Sequence, residues 1–376
     1  MTGLLERQFA VAHAQGENWA AVAKACADQL ASLPPGANLG FLYATDPLAA
    51  DLGSILTFLR ERTRIADWVG SVGLGVCATG RDYFDVPALS VLVAALPPNG
   101  FRLFAPQQAS AAALAAGADQ WFSRVRPTIG VVHGDPRDAA IVERVGTLSR
   151  DASLFLIGGL AASAAAPVQV AGQVVEGGLS GVMLAPDIPL ISGLTQGCSP
   201  IGPVRRVTEA RDNILIAIDG RPALEVFKED IGELLSRDLR RVAGLIFAGF
   251  PVTGSDTGDY LVRNLVAIDV PRQWLAVAHA ASPGDAVLFC RRDPASAVVD
   301  LERMLVSLKR RAGTAPRAGL YFSCVARGPN LFDQPAQELM MIRDALGDFP
   351  LAGFFGNGEI AHDRLYGYTG VLALFL

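Results

Sequence analysis

The residues best suited to chemistry lie in two short segments near the end of the chain, each of which follows an apolar run. Residues 323–328 read S-C-V-A-R-G, and residues 356–360 read G-N-G-E-I. Arg327 could bind a carboxylate through two parallel hydrogen bonds, Glu359 could bind an ammonium group, and Asn357 could both donate and accept. These residue types predict a site for a small polar molecule that carries both charges, as an amino acid does.

Three further residues belong to this candidate site. Gly328 and Gly358 would let the backbone approach a ligand closely, and Cys324 lies three residues before Arg327. An ion pair between Arg327 and Glu359 that only ties the two loops together is the alternative interpretation, because ion pairs often have a structural role. Both interpretations place the two side chains in one cluster.

Additional ligand contacts are expected from glycine-rich segments elsewhere in the chain. Residues 197–200 read G-C-S-P within a segment rich in glycine and proline, which is typical of irregular backbone that approaches a ligand. Cys198 and Ser199 are therefore candidates. Thr79 is a third, because it lies in a glycine-containing loop that follows an apolar strand.

A cysteine nucleophile is the alternative chemistry. Either Cys198 or Cys324 could attack a substrate, but a nucleophilic thiol needs a base and a group that orients the base. The candidate bases are His133, His279 and His362, and no spacing in the sequence links any of them to a thiol. The sequence therefore favours thiols that are buried or line a ligand site.

Three segments of the chain share one pattern, and they are the elements that must position these residues. Each contains an apolar run, a helix-like segment, and two apolar runs around a glycine-containing loop, over residues 38–97, 127–185 and 317–376. The first two runs predict parallel strands joined by a right-handed crossover, with the third strand antiparallel to the second. The loops after the second strands are then equivalent and could meet in one cleft, namely residues 77–80, 160–163 and 357–360.

The predicted fold is mixed α/β, with repeated β-α-β-β units that form mixed sheets covered by helices in two lobes. A chain of 376 residues exceeds one ordinary domain. The predicted division is a helical lead-in over residues 1–36, a first domain over 37–220 and a second over 221–376. The boundary lies where the repeat pattern ends.

Composition and charge argue against several classes of protein. Charged residues make up 18% of the chain, the net charge is −5, and the basic residues are scattered, so no nucleic-acid groove is expected. The apolar runs are shorter than the roughly 18 residues of a membrane helix, and the start of the chain lacks the apolar core of a secretion signal. A cytoplasmic protein without membrane contact is expected. The low charge content also favours a surface for homo-oligomer formation.

Neither a cofactor nor a metal is expected from the sequence. The 5 cysteines and 4 histidines are dispersed, without C-x-x-C, H-x-H or H-E-x-x-H spacing. The G-x-G-x-x-A pattern at residues 73–78 is similar to a dinucleotide fingerprint, but a strand is predicted where a phosphate-binding helix would be required.

Four motifs together resemble one protein family. They are G-L-T-Q-G-C-S-P-I-G-P, F-S-C-V-A-R-G, P-L-A-G-F-F-G-N-G-E-I and Y-G-Y-T-G-V-L-A-L-F. This combination resembles the FIST proteins (F-box and intracellular signal transduction proteins), over residues 35–373 and in both the N-terminal and C-terminal FIST regions. The resemblance implies a cytoplasmic sensory module that binds small molecules such as amino acids. Arg81 stands where the family pattern G-C-S-T-A-G-E has an acidic residue.

The sequence thus favours an intracellular sensor that binds a small, amino-acid-like metabolite and signals through conformational change or contact with a signalling partner. Two alternatives come from other classes: a cysteine-dependent enzyme that handles amides or thioesters, and an interaction scaffold that binds no ligand. A thiol of low pKa would favour the enzyme. Partner proteins that co-purify without a metabolite would favour the scaffold.

Overall fold

The structure is a computed structural model that describes residues 8–117, 120–242, 244–252 and 258–376. The chain forms two compact units. The larger unit combines the residues up to Thr195 with those from Asp300 onward, and the smaller unit is Gln196–Val299. The boundary predicted at residue 220 would separate two consecutive segments of the chain, and it stays a prediction.

The larger unit consists of three copies of one motif, each with two helical connections, a hairpin and a closing strand. The first copy comprises β1 (Phe9–Gln15), α1 (Trp19–Gln29), β2 (Leu39–Thr45), α2 (Leu52–Thr63), β3 (Asp67–Gly73), the hairpin β4 (Gly75–Ala78) and β5 (Arg81–Phe84), and β6 (Ala88–Ala94). The second comprises β7 (Phe101–Phe104), α3 (Ala111–Ala115), α4 (Trp121–Val125), β8 (Ile129–Gly134), α5 (Ile141–Ala152), β9 (Phe155–Leu160), the hairpin β10 (Gln169–Ala171) and β11 (Val174–Val175), and β12 (Leu179–Leu184).

The third copy is interrupted in sequence, after its first strand, by the smaller unit. It begins with β13 (Leu190–Gln196). The smaller unit then contributes β14 (Cys198–Pro200), β15 (Arg205–Arg211), β16 (Ile214–Ile218), β17 (Arg221–Pro222), α6 (Ala223–Ser236), β18 (Ile246–Pro251), β19 (Tyr260–Asp269), β20 (Trp274–Val277) and β21 (Ala286–Arg292). The third copy resumes with α7 (Pro294–Ala312), β22 (Ala318–Cys324), α8 (Gln337–Leu346), β23 (Leu351–Gly356), the hairpin β24 (Glu359–His362) and β25 (Arg364–Tyr366), and β26 (Thr369–Phe375).

The predicted mixed α/β class and the repeated strand–helix–strand cores are confirmed. In each copy the two strands joined by the helix are parallel, as in the pairs β2–β3, β8–β9 and β22–β23. The closing strand runs antiparallel to the second strand, as predicted, but does not pair with it. The closing strands β6, β12 and β26 instead pair with the first strands β2, β8 and β22.

The reason is that the predicted loop after each second strand contains a hairpin that leaves its own sheet. Hairpin β4–β5 pairs with β23 of the third copy, β24–β25 pairs with β9 of the second, and β10–β11 pairs with β3 of the first. This exchange is cyclic. Each of the three resulting sheets has 6 strands drawn from more than one copy, so no copy completes its sheet alone.

Backbone hydrogen bonds link the three copies where the hairpins cross. The Leu74 amide donates to Phe355 O at 3.2 Å, the Asn357 amide donates to Leu160 O at 3.0 Å, and the Ala162 amide donates to Val72 O at 3.0 Å. The loops predicted at residues 160–163 and 357–360 therefore meet. Residues 77–80 instead lie at the turn of the β4–β5 hairpin, because the equivalent crossing in the first copy is at residues 72–74.

Glycine is required where each second strand passes its neighbour. Gly70, Gly158 and Gly353 lie opposite Leu42, Val132 and Tyr321 in the parallel ladders. A Cβ atom at any of these glycines would overlap the carbonyl oxygen of the residue opposite. The obstacle is backbone, so a change of side-chain rotamer cannot relieve it.

Four aromatic rings join the three sheets at their common core. Tyr43, His133 and Phe322 occupy equivalent positions on the first strands, and Phe354 lies beside Phe322 on β23. The six centroid distances among the four rings run from 5.3 to 6.2 Å. The positions equivalent to Phe354 are the small residues Ser71 and Gly159. One large ring therefore fills the centre that three large rings could not share.

Helices cover the outer faces of the three sheets. Helices α1 and α2 pack on the sheet that contains β2, helices α3 to α5 on the sheet that contains β8, and helices α7 and α8 on the sheet that contains β22. Helices α3 and α4 are short, and residues 118 and 119 between them lie outside the described residues. Among the described helices, none combines the length and apolar character needed to cross a membrane.

The smaller unit is a closed antiparallel barrel. Its strands pair in the order β21, β15, β16, β20, β19 and β18, and β18 pairs again with β21. The core contains apolar side chains from the strands and from α6, among them Phe227 and Phe289. Asp219 and Gly220 form the turn between β16 and β17, since Ile218 pairs with Arg221.

The substitution Gly353→Ala should strongly destabilise the protein. The added Cβ would meet the Tyr321 carbonyl, so we expect a loss at or above the roughly 1–3 kcal/mol typical of overpacking. The control is Gly53→Ala in α2, where the added Cβ meets nothing within 4 Å and should stabilise the helix by up to about 1 kcal/mol. Similar urea-unfolding midpoints for the two variants would contradict the close approach of Gly353 on β23 to the Tyr321 carbonyl on β22.

The substitution His133→Phe should reduce the loss of stability in acid. His133 is fully buried, and burial lowers its pKa from 6.5 to about 3. The unfolded chain therefore binds one more proton than the folded chain between these pH values, and the stability from neutral His133 is lost as pH falls from 6.5 towards 3. Near pH 5 the free energy of unfolding should rise with pH more steeply in the wild-type protein than in the variant, by about 1.4 kcal/mol per pH unit. Equal slopes in urea-unfolding measurements would refute this origin of acid lability.

Candidate functional site

A buried carboxylate, Glu338, organises the candidate site. Its Oε1 accepts hydrogen bonds from Tyr321 Oη at 2.7 Å and Arg327 Nε at 2.8 Å, and its Oε2 accepts from the Gly328 amide at 3.0 Å. Ser323 Oγ lies 3.3 Å from Oε2. The Glu338 carboxylate therefore has donors on both oxygens and a cation beside it.

Sequence reasoning missed Glu338, although a signal was present. Glu338, Ile342 and Leu346 are four residues apart and are all buried on one side of α8. A carboxylate in line with two apolar residues on a helix is thus directed towards the protein interior, where it needs a partner.

Arg327 is fully buried and is the cation beside Glu338. Its Nη2 lies 2.8 Å from Glu338 Oε1, and its guanidinium carbon lies 5.3 Å from the centroid of the Phe332 ring. Burial alone would lower the pKa of Arg327, but the Glu338 carboxylate raises it above its usual value. Nη1 makes no hydrogen bond to the described residues, and Nη2 makes none of good geometry despite its ion-pair contact. Part of the guanidinium is therefore left without a hydrogen-bond partner.

Glu359 is the second buried carboxyl group, and it has fewer partners than Glu338. Its Oε2 accepts hydrogen bonds from Thr369 Oγ1 at 2.7 Å and from the Thr369 amide at 3.2 Å. Its Oε1 is buried, and no hydrogen bond of ordinary geometry reaches it from the described residues. Burial raises the pKa of Glu359 to about 8, although Thr369, Arg327 and the Cys324 thiol partly oppose the shift.

The same hairpin position in the other two copies carries no charge. The equivalent positions in the three exchanged hairpins are Glu359, Gln169 and Val76. Each pairs with the same position of a second strand, namely Gly159, Ser71 and Phe354, respectively. Gln169 Oε1 accepts a hydrogen bond from Ser180 Oγ at 2.6 Å, much as Glu359 accepts from Thr369. A neutral amide or an apolar side chain therefore satisfies the fold here, and the carboxyl group of Glu359 is not a structural requirement of the repeat.

Several of the predicted site residues come together around this cluster. Cys324 is buried at the end of β22 beside Glu359, and burial, followed by the charge of Glu359, raises the pKa of its thiol to about 12. Gly328 donates to Glu338 and has a φ of +53°, and a Cβ there would lie 2.9 Å from the Phe355 ring. The alternative pairing of Arg327 with Glu359 is not the one found, because the ion-pair partner of Arg327 is Glu338.

Gly358 and Asn357 lie in the crossing of the third hairpin. Gly358 has a φ of +129°, and its carbonyl accepts the Leu160 amide at 2.8 Å. Asn357 is exposed. Their backbone groups hold the crossing in place, and the Asn357 side chain faces away from the buried carboxyl groups.

Thr79 connects the first hairpin to the third copy. Its hydroxyl donates to Phe349 O at 2.8 Å and accepts from the Leu351 amide at 3.0 Å. These bonds hold the segment that leads into β23, so the position of Thr79 has a structural explanation.

Cys198 and Ser199 belong to the smaller unit and lie on strand β14, where a glycine-rich turn was predicted. Cys198 is buried, and its carbonyl accepts a hydrogen bond from Tyr260 Oη at 2.6 Å. The Cys290 thiol hydrogen-bonds with Cys198, and that bond together with burial raises the pKa of Cys290. Ser199 is half-buried opposite Arg291.

The three candidate bases have other environments. His133 Nε2 lies 3.3 Å from Tyr43 Oη in the aromatic core, His279 lies against Phe250 at 4.3 Å between centroids, and His362 stacks on Phe155 at 5.1 Å. Within the described ranges, no group of three or more His, Cys, Asp or Glu side chains could hold a metal ion.

Three surface depressions have linings that do not include the residues of this cluster. Their volumes are about 400, 340 and 360 Å³, and their linings include Arg272 and Trp274, Asp230 and Arg291, and Arg102 and Trp121, respectively. Neither Arg327 nor Glu359 lines any of the three. The candidate site is therefore defined by its buried polar atoms that lack hydrogen bonds to the described residues.

The substitution Arg327→Met should destabilise the protein by about 3–5 kcal/mol, because it removes the cation from a buried ion pair. The double variant Arg327→Met with Glu338→Gln should recover part of this loss, since it removes both charges. The control Lys24→Met disrupts an exposed pair with Asp28 and should change stability little. If urea unfolding shows no difference between Arg327→Met and the control, the ion pair does not support the site.

Comparison with known proteins agrees with the motifs. The FIST N domain matches residues 38–221, and the FIST C domain matches residues 223–362. The chain is 29% identical over 358 residues to the uncharacterized protein MT0656 of Mycobacterium tuberculosis, covering 88% of this chain and 92% of the relative. It is 33% identical over 217 residues to the uncharacterized protein Mb0898c of Mycobacterium bovis, covering 54% and 55%. FIST domains are associated with signal transduction and the sensing of small ligands. With both domains matched over most of its length, the chain belongs to the FIST family.

Proposed function

We propose that this protein is an intracellular sensor that binds a small zwitterionic metabolite, such as an amino acid, between Arg327 and Glu359. The observation behind the proposal is that Arg327 Nη1 and Glu359 Oε1 are buried and make no hydrogen bond of ordinary geometry to any residue that the structure describes. A buried polar group left unsatisfied costs about 1–3 kcal/mol, and more when it is charged. A ligand with a carboxylate and an ammonium group would satisfy both.

The charge pattern supports this class of ligand. Arg327 and Glu359 lie close enough for the charge of each to shift the pKa of the other. Their signs are opposite, so a zwitterion can place its carboxylate at the guanidinium and its ammonium at the carboxyl group. The neutral residues at the positions equivalent to Glu359 support the same interpretation, because the fold itself needs no charge there.

Burial of the site supports a sensory role. Arg327 has no exposed surface, and Glu359 is only 1% exposed, so a ligand gains access only if the surrounding segments move. A protein that opens to bind and closes around its ligand has two states, and the ligand shifts their populations. Contact with a signalling partner and formation of a homo-oligomer stay predictions of the sequence.

The alternative of a cysteine enzyme is less well supported. The nucleophile of such an enzyme is a thiolate, whereas burial raises the pKa of Cys324 to about 12. Cys198 is also buried. The buried, unpartnered groups likewise favour a ligand-binding protein over a scaffold that binds none.

A thermal-shift screen against amino acids, small carboxylates and polyamines should give a selective response to zwitterions. At 100 times its dissociation constant a ligand adds about 2.7 kcal/mol, which raises the melting temperature by roughly 5–10 °C. The Glu359→Gln variant should keep its fold, as Gln169 does in the second copy, and lose this response. The control Glu61→Gln, at an exposed position on α2, should respond as the wild-type protein does.

Two outcomes would count against the proposal. If the Glu359→Gln variant still responds to zwitterions, the ligand binds elsewhere in the protein. No response to any zwitterion would favour the scaffold. Arg327→Ala is a poor choice for this experiment, because loss of the ion pair with Glu338 would lower stability as well as binding.

A further inference from the structure

Two buried carboxyl groups share one buried cation in the candidate site. Glu338, Glu359 and Arg327 are each at most 2% exposed. With both carboxyl groups ionised, the cluster would hold a net negative charge in the protein interior, which is strongly unfavourable without a further partner. One of the two carboxyl groups should therefore hold a proton when no ligand is bound.

Hydrogen bonding decides which carboxyl group is neutral. Glu338 accepts hydrogen bonds on both oxygens and forms the ion pair with the Arg327 guanidinium. Glu359 accepts from Thr369 on one oxygen and is otherwise approached by the Cys324 thiol, a weak donor, and its Oε1 has no hydrogen bond of ordinary geometry to the described residues. The proton belongs on Glu359.

Among the described residues, the cation that acts on Glu359 is Arg327. The groups that face it from neighbouring elements are Cys324 at the end of β22, Arg327 in the following loop, Thr369 at the start of β26, Tyr366 opposite it on β25, and Glu338 on α8 behind Arg327. Arg327 is the cation of this set, and it is already paired with Glu338. The direction of the pKa shift of Glu359, upward through burial, agrees with this assignment.

We infer that Glu359 rests as a neutral carboxylic acid and ionises when the cationic group of a ligand binds beside it, so that binding releases a proton to solvent. The inference rests on the proposed function, since it concerns the regulation of the same site. The cation replaces the proton as the partner of the carboxylate, and no covalent bond other than the O–H bond breaks. Ligand affinity therefore depends on pH, and the sensor responds to its ligand more weakly in acid.

The protonation state can be tested without a ligand. The infrared difference spectrum between wild-type protein and Glu359→Gln at pH 6, below the pKa of about 8, should contain the carbonyl band of a protonated carboxylic acid. This band should disappear as pH rises past about 8, and Glu61→Gln should give no such difference. Absence of the band at pH 6 would overturn the inference. If Glu359→Gln does not fold, titration of the wild-type band gives the same answer.

Proton release can be tested with methylammonium chloride as the cation probe. Calorimetric titration in phosphate and in Tris, which differ in ionisation enthalpy, should show close to one proton released at pH 6, and affinity should rise about tenfold per pH unit up to about pH 8. Equal affinity at pH 6 and pH 8, or no binding at either, would overturn the inference.

The two hypotheses fail separately. A zwitterion response in the thermal-shift screen with binding that does not depend on pH would overturn proton release and leave the proposed function intact. Failure of every zwitterion in the screen, with methylammonium bound and a proton released, would remove the amino-acid-like ligand and leave Glu359 as a proton-coupled cation site.

Discussion

The cyclic exchange of three hairpins is the constraint on which the larger unit depends. Each second strand continues beyond its own sheet and pairs in the next one, so the three copies cannot be completed separately. The exchange brings backbone close to backbone at the crossings, where a Cβ atom at Gly73 would lie 2.7 Å from Phe355 O and one at Gly356 would overlap Leu160 O. It also carries Glu359 from the strand end of the third copy into the sheet of the second, where it lies beside Cys324 and Thr369 of the third sheet. The topology thus explains why residue 359 is buried at a crossing point, although the other two copies show that no carboxyl group is required there.

The three copies have diverged where they meet. Phe354 is the large residue at a position where the other copies have Ser71 and Gly159, and Glu359 is the acidic residue where they have Gln169 and Val76. The first difference is explained by space, because only one large ring fits at the common core. The second has no such explanation in packing. The proposed ligand site rests on this charge, which the repeat does not need, and on the neighbouring Arg327 Nη1, which makes no hydrogen bond to the described residues.

The sequence predicted local features well and long-range pairing poorly. Hydrophobic periodicity identified the parallel strand pairs and their helices, because these patterns depend on neighbouring residues. It could not show that the hairpins pair in other copies, since a short antiparallel hairpin has the same local pattern in either sheet. The clustering of Cys324, Arg327, Gly328 and Glu359 followed from their places after adjacent strands. The partner of Arg327 was missed, because Glu338 reaches it from a helix through the tertiary fold.

The most direct test of the central claim is the mass of the native protein as purified, measured under conditions that preserve non-covalent complexes. If Arg327 and Glu359 hold a zwitterion, the wild-type protein should carry one small molecule per chain, which dissociates on unfolding and is absent from Glu359→Gln. A wild-type protein that has only the mass of its chain, and that acquires no added mass when incubated with a mixture of amino acids, would contradict the account.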